Sequence, residues 1–132
     1  MRKRLILVAL VALVLCVTVQ LNAQQDGIKR TMLSKIEYPA QHLTLMGTAE
    51  LPPGGALARH THPGIETGYM LEGECLMSVE GQPDRVVKAG ESYLIPAGVP
   101  HSLKNHSATQ PLKGLSTWVV EKDKPFSTPA PK

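Results

Sequence analysis

Two closely spaced histidines, a carboxylate and a distant third histidine form the most informative pattern in this sequence. One residue separates His60 from His62, so the two side chains share a face if the segment is a β-strand. Glu66 follows after a turn at residues 63–65, and His101 comes 35 residues after Glu66. Three neutral imidazoles and one carboxylate suit Fe, Mn, Ni, Co, Cu or Zn. The pattern therefore predicts one divalent transition metal, with these four residues as its ligands.

On some metals, the four predicted ligands would leave coordination positions open. A metal that accepts five or six ligands keeps one or two positions for water or a small molecule when the protein supplies four. Zinc usually prefers four ligands, so the same set would close the site on zinc. Which metal binds therefore bears directly on whether chemistry can occur there.

Short strands must position these residues, because Gly and Pro interrupt the chain at regular intervals from residue 42 onward. We predict strands at 42–50, 56–62, 66–71, 75–79, 85–88, 92–95, 101–104 and 112–120. Strand 56–62 would place Ala56 and Ala58 on the face of His60 and His62. His101 can join the others only if the sheet closes on itself, as in a small barrel. Many short strands without a helical period indicate an all-β sandwich or barrel.

The spacing also resembles a known family. Residues Gly54, His60, His62, Glu66 and Gly73 fit the pattern G-x5-H-x-H-x3-E-x6-G, and residues Gly90, Pro96, Gly98, His101 and Asn105 fit G-x5-P-x-G-x2-H-x3-N. These two motifs resemble those of the cupin superfamily, over about residues 41–121. The resemblance implies a single-domain jelly-roll β-barrel with the four metal ligands inside. It does not fix the reaction, because one fold can serve many functions.

The first residues are typical of a secretory signal peptide. A basic start precedes an apolar run of 15 residues, 5–19, and a small residue, Ala23. The run is shorter than the about 20 residues of a membrane span, although an uncleaved anchor is the alternative. We predict a signal peptide at 1–23, an N-terminal arm at 24–40, the barrel domain at 41–121 and a loose Pro-rich tail at 122–132.

The amino-acid composition limits the classes of partner that this chain is expected to bind. Cleavage after Ala23 would leave 11 basic and 11 acidic side chains, hence no formal net charge with His neutral. No basic stripe is present, so nucleic-acid binding is not expected. We expect a small-molecule ligand or substrate, no membrane association after cleavage, and a homodimer. Its contact would use side chains expected to point outward, namely Tyr69, Leu71, Leu76 and Trp118.

Strand alternation also suggests which residues line the pocket. Gly68 and Met70 should face inward with Glu66, and Cys75 and Met77 share an inward face on the next strand. The missing side chain of Gly68 could leave room beside the metal, or Gly68 could mark a kink in the strand. Cys75 is interpreted as a small apolar lining residue rather than a catalytic thiol.

Three functions fit this pattern. The first is a metalloenzyme acting on a small organic molecule, such as a dioxygenase, with Glu66 as a ligand that also acts as a catalytic base. The others are a metal-dependent isomerase or lyase and a non-catalytic binding or sensing module. The run from His60 to Gly68 also resembles germins, exported manganese cupins with oxalate oxidase activity. Because the loop before Glu66 is one residue shorter and the N-terminal cysteine pair of germins is missing, their substrate is not carried over.

The signal peptide gives the first prediction. The mature protein should begin near Gln24 and lie outside the cytoplasm, in the periplasm or secreted. Mass spectrometry of the protein isolated from its source cell measures the mature N-terminus. Intact cytoplasmic protein beginning at Met1 would contradict the prediction.

Overall fold

The structure, a computed structural model, describes residues 27–131. The strands are β1 (Lys29–Ile36), β2 (His42–Leu51), β3 (Ala56–Thr61), β4 (Gly64–Glu72), β5 (Glu74–Val79), β6 (Arg85–Lys88), β7 (Ser92–Ile95), β8 (His101–Lys104), β9 (Leu112–Glu121) and β10 (Thr128–Pro129). They form two antiparallel five-stranded sheets, ordered β1-β2-β9-β4-β7 and β10-β3-β8-β5-β6. The predicted all-β jelly-roll class is confirmed.

The core lies between the inner faces of the two sheets. Alternate residues of β4, β5 and β7 are buried while their neighbours are exposed, as expected for strands with one face against a core. The core residues from these and neighbouring strands include Leu51, Met70, Cys75, Met77, Val79, Val87, Ile95, Leu103 and Leu112. Burial of one such side chain typically stabilises a fold by about 1.5–3 kcal/mol, so the core holds the two sheets together.

Strand β3 departs from the predicted alternation. Its pairing with β8 runs Leu57 to Leu103 and then His60 to His101, so β3 contains one extra residue between these pairs. Because of this β-bulge, both Leu57 and His60 point inward, although an odd number of positions separates them. Ala56 and Ala58 are exposed, and the prediction that they share the face of His60 is wrong. Strict alternation cannot anticipate a bulge.

The predicted arm and the predicted tail each contain a strand. The predicted arm contains the eight-residue strand β1, which pairs with β2 although all its residues are exposed. The predicted loose tail contains β10, which pairs with β3. The expectation of a loose tail is therefore wrong, because residues 128–129 form backbone hydrogen bonds along a sheet edge. The domain bounds themselves stay a prediction.

Export depends on residues that the structure does not describe. The predicted signal peptide at residues 1–23 lies outside the described range. Within residues 27–131, no helix has the length and apolar character required to cross a membrane.

Asn105 is a fully buried support at the end of β8. Its Nδ2 donates to the carbonyl oxygens of Leu51, Pro52 and Gln110 at 3.3, 3.0 and 2.9 Å, and its Oδ1 accepts from Ser107 N at 3.1 Å. One side chain thus ties the end of β2 to the loop before β9. Asn105 therefore acts as a hydrogen-bonding support of the fold.

Gly68 allows two neighbouring strands to pack closely at the inner face of the sheet. Gly68 on β4 lies opposite Tyr93 on β7. A Cβ at position 68 would overlap the Tyr93 ring, and Tyr93 is only 8% exposed. The space left by the missing side chain is therefore occupied by an aromatic ring.

This packing predicts the effect of substituting Gly68. Gly68→Ala should lower the free energy of unfolding by about 1–3 kcal/mol, the usual cost of overpacking a well-packed core. Gly114→Ala is the matched control, because a Cβ at that position on β9 meets nothing within 4 Å. Urea unfolding of both variants measures the difference. A Gly68→Ala variant as stable as the unsubstituted protein would contradict this account of the Tyr93 contact.

Candidate metal centre

The four predicted ligands come from three strands and one turn. His60 on β3 and His101 on β8 are direct partners in one sheet, whereas Glu66 lies on β4 in the other sheet. His62 lies just beyond the end of β3, where the chain crosses from one sheet to the other. Closure of the two sheets therefore brings all four side chains together, although His101 comes 35 residues after Glu66.

The polar atoms of these side chains converge on one point. His60 Nε2 lies 3.2 Å from His62 Nε2. Glu66 Oε2 lies 3.3 Å from His62 Nε2 and 3.4 Å from His101 Nε2. The ligand atoms of the three histidines all lie within 4.8 Å of one another. Since metal–ligand bonds are about 2.0–2.2 Å long, such atoms are close enough to share one ion.

Backbone carbonyls orient the three imidazole rings. The Nδ1 atoms of His60, His62 and His101 lie 2.6, 2.6 and 3.0 Å from the carbonyl oxygens of Ala58, Phe126 and Val99, respectively. A carbonyl oxygen can only accept, so each Nδ1 carries the hydrogen. Each neutral ring then keeps its Nε2 lone pair for the centre, as metal-binding histidines usually do.

The electrostatics favour the protonation states that a metal needs. Burial alone would raise the pKa of Glu66, but the side chains of His101, His62 and Ser116 more than offset burial and hold that pKa well below its usual range. Burial, with the neighbouring His101 and His62, lowers the pKa of His60. An ionised carboxylate and a neutral imidazole are the forms that bind metal.

An unpaired atom also fits a metal. His101 Nε2 is buried, and although Glu66 Oε2 lies 3.4 Å away, it makes no well-formed hydrogen bond to any described residue. Buried polar atoms normally have a hydrogen-bond partner, so a buried atom without one needs an explanation such as a bound ion. The cluster of His60, His62 and His101 is thus suited to metal binding, and an ion at their common point would give His101 Nε2 a partner.

Tyr93 is a residue of the centre that the sequence did not identify. The Tyr93 hydroxyl donates to Glu66 Oε1 at 3.2 Å and lies 2.9 Å from Ser116 Oγ. Burial and the charge of Glu66 raise the pKa of Tyr93 above its ordinary value, so the hydroxyl stays protonated and can donate. It thereby fixes the carboxylate oxygen that faces away from the histidines. Because the pairing of Gly68 with Tyr93 depends on the register of β4 and β7, the sequence alone carried no signal for this role.

The predicted pocket-lining residues lie inside the barrel. Gly68, Met70, Cys75 and Met77 all face inward and are buried, and the last three belong to the hydrophobic core. Burial raises the pKa of the Cys75 thiol to about 11, which supports an apolar role rather than a catalytic one. Tyr93 fills the space beside Gly68, so neither free room nor a kink explains that glycine. That these residues line a pocket stays a prediction.

Trp118 lies on the inner face, contrary to expectation. It is the register partner of Glu66, whose side chain points inward, and its ring packs edge-on against His62 at 6.1 Å between centroids. The prediction that Trp118 contributes to an outer contact is therefore wrong. Tyr69, Leu71 and Leu76 are exposed as predicted, by 45, 41 and 36%.

Comparison with known proteins agrees with this geometry. The family described as Cupin domain matches residues 47–118. Germin-like protein 3-5 of Oryza sativa subsp. japonica is 33% identical over 99 residues, covering 67% of this chain and 44% of the relative. Oxalate oxidase 2 of Hordeum vulgare is 34% identical over 95 residues, covering 64% of this chain and 42% of the relative. The chain spans less than half the length of these curated relatives.

Solved structures give the same result. A recombinant oxalate oxidase in complex with glycolate has a TM-score of 0.63 and 26% identity, covering 81% of this chain and 57% of that one. A double-stranded β-helix protein from Klebsiella pneumoniae has a TM-score of 0.67 and 20% identity, covering 88% of this chain and 95% of that one. The second likeness concerns the fold alone. With the match over residues 47–118, these findings show that the chain belongs to the cupin family.

Proposed function

We propose that this cupin is an exported metalloenzyme that acts on a small organic molecule. It would hold one divalent transition metal through His60, His62, Glu66 and His101. The observation that carries the proposal is the convergence of three Nε2 atoms whose rings are each oriented by a backbone carbonyl. Fe, Mn, Ni, Co, Cu and Zn all accept such ligands.

The protein residues would set the charge and shape of the centre. Glu66 would supply one negative charge, and its low pKa favours the role of ionised ligand over that of proton acceptor. Tyr93 would hold the second oxygen of Glu66 through its hydroxyl. His60 is the least buried of the four, so a small molecule would approach from its side. The bound metal would supply Lewis-acid or oxygen chemistry.

The relatives suggest which substrates to test first. Several are oxalate oxidases, and one solved oxalate oxidase holds glycolate. Small carboxylic acids are therefore our first candidates, with oxygen as the second reactant. A metal-dependent isomerase or lyase has less support. Such reactions usually need a proton acceptor, whereas the pKa of Glu66 is lowered and that of Tyr93 is raised.

One observation favours a second candidate, a non-catalytic module that binds a small molecule or a metal. Glu66 and Tyr93, the titratable neighbours of the histidine cluster, would both keep their ordinary protonation state near neutral pH. A centre without a residue that exchanges protons could bind a ligand without changing it. Turnover measurements separate the two functions.

Export and assembly complete the proposal. The segment 1–23 would direct the chain to the periplasm or the medium. Two chains would form a homodimer through the outer face of the sheet that contains β4 and β7. Ile65, Tyr69, Leu71 and Leu94 expose 41–57% of their surface there, and burial of such apolar area would stabilise a contact.

Metal binding is the first test of this proposal. The purified protein should bind about one transition-metal ion per chain. His62→Ala and His101→Ala should each weaken binding at least about tenfold, because losing even a group that only orients a ligand costs about 10–100-fold. His106→Ala is the control, because this histidine pairs with exposed Glu74. Elemental analysis and chelator competition give the result.

Oxygen uptake is the second measurement. Metal-loaded protein should consume oxygen with at least one member of a panel of small organic acids that includes oxalate and glycolate. Specific binding without turnover would favour the binding module instead. If the protein took up none of Fe, Mn, Ni, Co, Cu and Zn after reconstitution, the proposed metal centre would be wrong.

A further inference from the structure

The C-terminal segment reaches back to the metal centre. We refer to residues 122–131 as the strap. Within the strap, the carbonyl oxygen of Phe126 lies 2.6 Å from His62 Nδ1. The Phe126 ring packs against the His62 ring at 4.6 Å between centroids and against Trp118 at 5.3 Å. The strap therefore contacts one predicted ligand through both its backbone and a side chain.

Several contacts hold the far end of the strap against β3. Strand β10 pairs Thr128 with Thr61 and Pro129 with His60. Ala130 N donates to the Arg59 carbonyl oxygen at 3.1 Å, and Arg59 Nε donates to the Pro131 carbonyl oxygen at 3.0 Å. These contacts fix the strap beside the ligands that β3 carries.

The three histidines differ in how they obtain their carbonyl partner. His60 and His101 each use the carbonyl of a residue two positions earlier, Ala58 and Val99. Those partners are present wherever the local backbone is formed. His62 depends on Phe126, which is 64 residues away. His62 is thus the ligand whose orientation depends on a separate part of the chain.

We propose that the strap is a positioning element of the metal centre. The Phe126 carbonyl accepts the Nδ1 hydrogen of His62, so it selects the tautomer with a free Nε2 and fixes the plane of the ring. Strand β10 and the hydrogen bonds of Ala130 and Pro131 to Arg59 keep that carbonyl in place. Without the strap, His62 could carry its hydrogen on either nitrogen and could rotate away. This inference rests on the proposed metal centre, although its effect on His62 exists without metal.

A truncated protein tests the proposal. A chain that ends at Lys124 lacks the Phe126 carbonyl and β10 but keeps all four ligands. In the metal-free protein, long-range proton–nitrogen NMR reports which ring nitrogen of His62 carries hydrogen. The unmodified protein should show Nδ1–H, and the truncated chain should show a mixture. Binding of Co²⁺ by chelator competition should weaken about 10–100-fold, the usual cost of losing a group that orients a ligand.

Two full-length variants serve as controls. Lys124→Ala lies within the strap, but among residues 27–131 its side chain pairs only with Glu121. Both the His62 tautomer and the Co²⁺ affinity should therefore be unchanged. Phe126→Ala removes the ring but keeps the carbonyl. It should change the emission of Trp118, the single tryptophan, while the His62 tautomer is retained. If the truncated chain fails to fold, Arg59→Ala loosens the end of the strap by removing the bond from Arg59 Nε to the Pro131 carbonyl. It should cause a smaller loss in the same direction.

The outcomes separate this inference from the proposed function. If the truncated or Arg59→Ala protein kept both the His62 tautomer and full Co²⁺ affinity, the strap would have no positioning role, although the metal centre would stand. If no variant bound metal, the proposed function would fail, and the His62 tautomer would still decide the inference. A mixed tautomer that appears only when the strap is removed or loosened supports it.

Discussion

Convergence of three imidazole nitrogens and one carboxylate is the constraint on which the rest of this structure depends. Three Nε2 lone pairs and a negative charge at close range repel one another unless a cation or protons lie between them. The fold brings these groups together nonetheless, from both sheets and the turn between them. Each ring is fixed by a backbone carbonyl, and the carboxylate is fixed by Tyr93. The unfavourable arrangement is therefore imposed by the neighbours of the four side chains.

The bulge in β3 shows how the backbone meets this constraint. A regular strand would keep Leu57 and His60 on opposite faces. The extra residue between the two β3–β8 pairs turns both inward, so Leu57 packs against the core and His60 faces the centre. The carbonyl of Ala58, within the bulge, accepts from His60 Nδ1. A single irregularity thus connects core packing to ligand orientation.

The sequence predicts the fold class and the histidine cluster because both depend on local periods and fixed spacings. It predicts less well the features that depend on contacts between distant segments. The role of Gly68 is visible only once Tyr93 lies opposite it. The partner of His62 is a backbone carbonyl, which every residue has, so no residue type marks Phe126. The prediction that Trp118 points outward was wrong because the register that puts it beside Glu66 cannot be derived from the sequence of β9 alone.

Tyr93, Trp118 and Phe126 are positions at which the activity of one cupin can come to differ from that of another. The four ligands and the motif glycines impose a common centre, so they cannot by themselves distinguish one member from another. Tyr93, Trp118 and Phe126 surround that centre and differ in chemistry: a donor, an indole and a ring carried by the strap. The indole nitrogen of Trp118 is buried and makes no hydrogen bond to the described residues, so it leaves an unused donor near His62. Specificity would therefore arise from the surroundings of the ligands, and the strap belongs to those surroundings.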